Sequence, residues 1–118
     1  MTFQYIDEAA LDGLRAIMGS ELAELYAVYK RDSHTRLLEL EALVAGAPDA
    51  AALRLAAHSL KGSSGNVGAS ALAELCWQLE SMAMANNLEQ APQLVAKIKQ
   101  LHELMLPELE ILSSGASQ

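Results

Sequence analysis

The stretch Ala56-Ala57-His58-Ser59-Leu60-Lys61-Gly62-Ser63-Ser64-Gly65-Asn66-Val67-Gly68-Ala69 sets an imidazole three residues ahead of an ammonium, with glycines close behind. A neutral imidazole is a nucleophile, and a lysine one helical turn along can place its charge near an anion carried on the ring. At about 100° per residue, Ala56, Leu60 and Val67 fall opposite His58, with Leu53 and Ser64 beside them. Arg54, Lys61, Gly62 and Gly65 fall within about 60° of it. His58 is therefore predicted to point into solvent, with Lys61 exposed on the same face. Each interior glycine costs a helix about 1 kcal/mol relative to alanine, and folding gains nothing from two of them on an exposed face. Their use is close approach: without a Cβ, a partner's backbone or a phosphoryl group reaches the imidazole unobstructed. These residue types at this spacing suit a transient phosphoryl group.

Other side chains have simpler readings beside functional ones. Arg54, Leu55, Ser59, Gly65 and Asn66 ring the His58 face and form a candidate docking rim, or else plain solvated surface. His34 and His102 could join His58 at a metal only through inward Glu-x-x-His pairs, and Leu55 stands where that glutamate would be. No metal site is expected. Cys76, the only cysteine, lies on an apolar stripe as packing and excludes both an internal disulfide and a C-x-x-C site. Trp77 falls off its stripe, to be covered by Phe3 and Tyr5 or to touch a partner. Met82 and Met84 read as bundle filler, and Glu80 either reaches toward His58 or is plain surface.

Positioning such a site falls to helices. β-Branched residues are sparse and no segment alternates apolar with polar residues. The 118 residues suit one domain spanning 1–118, and 52% apolar content with 4% aromatic means a core of Leu, Ala, Val, Ile and Met. Leu22, Leu25, Tyr26, Tyr29, Leu37, Leu40, Leu43 and Val44 share one face of a helix over about residues 20–45, with Ser20 as its cap. Gly46-Ala47-Pro48-Asp49 stops that helix and restarts another over about 50–67. Gly68 and Ser70 break and recap the chain for a helix over about 70–85, closed by Asn86-Asn87. Pro92 opens the last, over about 92–112, in which Pro107 predicts a bend or early fraying. A short helix over about 7–18, weakened by Gly13, should lie across one end. Residues 113–118 read as a frayed tail, and with Met1 they are what a free-standing chain would show. Short connections make sequential helices antiparallel. The fold class is all-α: an antiparallel up-and-down four-helix bundle with a short extra N-terminal helix.

Eight basic against fifteen acidic residues give a net charge of −7, which argues against a nucleic-acid binder. No apolar run approaches the roughly 18 residues a membrane span needs, and the N-terminus lacks a secretion-signal layout. A monomeric cytoplasmic protein is expected, since the bundle satisfies its own stripes.

His58-Ser59-Leu60-Lys61-Gly62-Ser63-Ser64 followed by Gly68-Ala69 resembles the motif of the histidine-containing phosphotransfer (HPt) domain family of bacterial two-component phosphorelays. Asp32 and Leu79-Glu80 also resemble the family arrangement, and the likeness spans nearly the whole chain. It implies that His58 is the phosphoacceptor, that Lys61 supports the phosphoryl charge, and that Gly62 gives the incoming domain room. Implied partners are response-regulator receiver domains and a sensor or hybrid histidine kinase. No cofactor of its own is implied, with Mg²⁺ carried by the receiver. The chain has no Gly-x-x-x-x-Gly-Lys-Ser/Thr loop and no room for an ATP-binding domain, so it should not phosphorylate itself. Ser59 stands where kinase dimerisation helices usually carry an acidic residue, which favours a transfer domain. Two alternatives compete: a bundle that docks receivers with an idle histidine, disfavoured because His58 and Lys61 are both kept, and a metal-dependent helical enzyme, disfavoured by the ligand geometry.

Overall fold

Aspartate caps open two of the helices. The computed structural model describes residues 2–115, which form five α-helices: α1 (Glu8–Met18), α2 (Leu22–Ala45), α3 (Ala50–Asn66), α4 (Ser70–Met84) and α5 (Ala91–Ser114). Asp7 and Asp49 open α1 and α3 by accepting the amides of Ala9 and Ala52, each at 3.0 Å. Residues 116–118, the end of the expected tail, lie outside the described residues.

Three local expectations change. Ser20 does not cap α2: it sits in a 3₁₀ turn, Gly19–Glu21, whose carbonyl at Gly19 takes the Leu22 amide, so the backbone itself occupies the donor a cap would bind. Ser70 is the first residue of α4 rather than its cap. The chain turns there through Gly68 at φ +81°, with Gly68 N–H donating to Gly65 O at 3.2 Å and Ala69 N–H to Ser64 O at 2.9 Å. That double closure satisfies the end of α3 through the backbone and needs a residue free to adopt a left-handed conformation. Finally, α5 runs unbroken through Pro107 to Ser114. Met105, Leu109 and Leu112 are buried around the proline, and their packing outweighs one missing backbone bond.

The four long helices form the bundle, each packed on its sequence neighbour while α5 closes onto α2, in a body of 44 × 20 × 19 Å. Tyr26, Leu40, Leu60, Leu72, Leu79, Ile98 and Leu109 are fully buried between them. Polar bonds inside this core fix the helices against one another: Tyr26 Oη donates to Val67 O at 2.8 Å, Tyr29 Oη pairs with Ser64 Oγ at 2.8 Å, and Ser33 Oγ pairs with His102 Nε2 at 2.9 Å. Burial pushes the Tyr26 phenol up to about 12 and Tyr29 also above its usual value. The N-terminal segment crosses the end where α3 meets α4. Gln4 N–H and Tyr5 N–H each donate to the Glu108 carboxylate at 2.9 Å, and Asp7 N–H donates to Gly68 O at 2.8 Å. Among the described residues, no helix is long and apolar enough to cross a membrane.

Candidate functional site

The inner face of α3 buries Leu53, Ala56, Ala57, Leu60 and Ser64, and that stripe turns His58 outward. The imidazole side chain is 63% exposed. Gly62 and Gly65 are exposed on the same helix, and a Cβ built on either would meet nothing within 4 Å. Packing within this chain therefore does not require glycine at either position. Arg54, Leu55, Ser59 and Asn66 are exposed around them, so the expected rim gathers on one surface.

Across from α3, Glu80 of α4 binds two of these groups at once. His58 Nδ1 lies 2.6 Å from Glu80 Oε2, and Lys61 Nζ donates to Glu80 Oε1 at 2.5 Å. The Glu80 side chain is only 9% exposed. Its carboxyl is held below the usual carboxylate range, chiefly by the Lys61 hydrogen bond and further by His58, against the opposing effect of burial. An ionised carboxylate only accepts, so His58 Nδ1 must be the donor. In the neutral ring the lone pair then sits on Nε2, the atom opposite, and no described residue bonds it. Lys61 differs from expectation: it is half-buried and tied to Glu80 rather than exposed.

Several residues lie elsewhere. Asp32 is exposed on α2 and outside this cluster, as is His34. His102 is buried against Ser33, with its pKa lowered chiefly by desolvation and also by His34. The structure does not gather the three histidines into one group. Cys76 is buried and its thiol is pushed up to about 12 by burial, with the Glu80 charge adding to the shift. Trp77 is 52% exposed, because Phe3 and Tyr5 pack at the α3–α4 turn instead of over it. Met84 is 68% exposed and is not filler, whereas Met82 is packed against the core.

Comparison with known proteins gives this bundle a class, that of phosphotransfer domains. The family model described as Hpt domain matches residues 24–109, and the chain belongs to that family. It is also similar to a particular solved structure, the crystal structure of histidine-containing phosphotransfer protein B (HptB) from Pseudomonas aeruginosa PAO1. The two are 34% identical with a TM-score of 0.87, over 92% of this chain and 94% of that one. No curated protein matches. The protein is thus a histidine phosphotransfer protein of the phosphorelay type, with an all-helical bundle fold.

Proposed function

We propose that His58 accepts a phosphoryl group from the aspartyl phosphate of one response-regulator receiver domain and passes it to the aspartate of another. The observation that carries this reading is the Glu80 carboxylate on His58 Nδ1, with open space at Gly62 and Gly65 on the same exposed face. The Nε2 lone pair attacks phosphorus in line. The N–P bond forms as the P–O bond breaks, and that bond's electron pair leaves with the receiver's carboxylate. The ring becomes an imidazolium whose remaining proton stays on Nδ1, where the Glu80 charge stabilises it. Lys61, one turn from His58 and held at the same carboxylate, can turn its ammonium to the phosphoryl oxygens. Gly62 leaves room for the docking receiver. Delivery to the second receiver reverses each step.

Mg²⁺ and a lysine on the receiver complete the charge neutralisation, since phosphoryl transfer rests on positioning and electrostatics. A sensor or hybrid kinase would feed the relay, in the cytoplasm of a bacterium, with this chain acting as a monomer. The test is to mix the protein with receivers phosphorylated by acetyl phosphate in the presence of Mg²⁺ and to assay for acid-labile, base-stable label. Label on the wild type that disappears in His58→Gln supports the proposal. Label that persists in His58→Gln, or a wild type that no receiver labels, overturns it.

A further inference from the structure

Among the described residues, half of the exposed large apolar side chains belong to the α3–α4 hairpin: Leu55, Trp77 and Met84. On α4, Trp77 and Met84 stand within about 60° of Glu80 on its solvent side, while buried Cys76 and Ala83 occupy the other side. Glu80 reaches across to His58 and Lys61, so this edge of α4 borders the imidazole. Leu55, one turn before His58, borders it from the other flank. Charge is segregated in the same way. Residues 50–84 carry two cations, Arg54 and Lys61, and two anions, Glu74 and Glu80, so the whole net charge of −7 lies on the rest of the chain.

We infer that Trp77 and Met84 form the apolar anchor that seats a receiver domain beside His58. This rests on the phosphotransfer reading above and names the residues that hold the receiver in place. A phosphorylated receiver brings a pocket of carboxylates and phosphate, which the acidic remainder of this molecule repels. The neutral hairpin is where such a partner can approach, and its two cations flank His58 on α3. Matching the apolar edge requires an apolar strip on the receiver next to its pocket. Tryptophan in such a place is the residue type that most often dominates binding energy at protein interfaces. The glycines and the anchor divide the work: Gly62 and Gly65 admit the partner, and the α4 edge holds it in register.

Trp77 is the only tryptophan in the chain, so its emission reports on the patch directly. Addition of a tryptophan-free receiver domain, activated with beryllofluoride and Mg²⁺, should shift that emission to shorter wavelength. In transfer from the same receiver phosphorylated by acetyl phosphate, Trp77→Ala should raise KM about 30-fold, in keeping with loss of an interface hot spot, with kcat little changed. Met84→Ala should raise KM in the same direction. Ile17→Ala and Leu104→Ala, which remove exposed apolar side chains from α1 and α5, should leave KM as in the wild type. Wild-type KM in both Trp77→Ala and Met84→Ala, or no emission shift on adding receiver, overturns the anchor while leaving phosphotransfer at His58 intact. An emission shift that depends on the concentration of this protein alone overturns it in favour of a second copy on the patch. A wild type that no phosphorylated receiver labels removes the phosphotransfer reading and the anchor with it.

Discussion

Replacing Gly62 and Gly65 with alanine should make the protein more stable and less able to transfer. Both glycines lie within α3, neither has a positive φ, and a Cβ at either position would have open space for 4 Å. Nothing in the folded chain opposes the methyl group, so only the backbone entropy of glycine is left to decide stability. That entropy makes each change worth about 0.5–1 kcal/mol in favour of alanine, or about 1–2 kcal/mol for the pair. For a chain of this length the melting temperature should rise by roughly 4–8 °C. Transfer should move the other way. A methyl group forced into a close-packed contact costs about 1–3 kcal/mol, which corresponds to transfer slower by about fivefold to 150-fold. Thermal melts followed by circular dichroism, and label transfer from a phosphorylated receiver, measure the two effects on one sample. Gly62→Leu extends the series and should block transfer while leaving the bundle folded. A double-alanine variant that melts no higher refutes the helix-entropy argument. Transfer that stays at the wild-type rate in Gly62→Leu refutes the claim that these positions are kept clear for a partner.

Glu80→Gln removes the carboxylate that keeps the Nδ1 proton in place, and should slow labelling of His58 by about a hundredfold, the lower end of general acid–base effects. Because the folded carboxyl is held below its ordinary 4.5, its contribution to stability is complete above that pH and is lost as pH falls through the folded value. Urea melts across that range should show an acid-side slope that Glu80→Gln flattens. His102 carries the same sign of pH dependence by a different route. Burial lowers its pKa from 6.5, so below that pH the unfolded chain binds a proton that the folded one resists, and stability should fall as pH decreases. His102→Asn should reduce the slope measured just below pH 6.5.

The His58 face was legible because two independent signals coincide there. Helical periodicity alone places His58 opposite Leu60 and Val67, and the glycines, unfavourable for folding on that face, mark it as used for something else. Local chemistry was read less well where the backbone does a side chain's work. Ser20 and Ser70 have the composition of helix caps, yet a 3₁₀ turn and the closure at Gly68 satisfy the amides and carbonyls concerned, so neither serine is called on. At Pro107 the helix does not fray, because the loss of one backbone bond is small beside the burial of Met105, Leu109 and Leu112.

Glu80 was the residue that reading one helix at a time could not assign. Its wheel position, at the edge of an apolar stripe beside Leu79 and Ala83, is equally that of a surface glutamate. What makes it part of the site is register between α3 and α4, which places it 22 residues after His58 and 19 after Lys61 yet within hydrogen-bond reach of both. That register depends on the turn of residues 67–69 and on Gly68, where a Cβ would stand 3.1 Å from the Ala10 Cβ as well as straining the backbone. Adding or removing one turn residue would rotate α4 by about 100° relative to α3 and carry the carboxylate away from both partners. The N-terminal segment strengthens the same junction, since Asp7 N–H donates to Gly68 O while the neighbouring amides hold Glu108 of α5. A helix end more than two turns from His58 therefore governs which nitrogen of its ring is free to react.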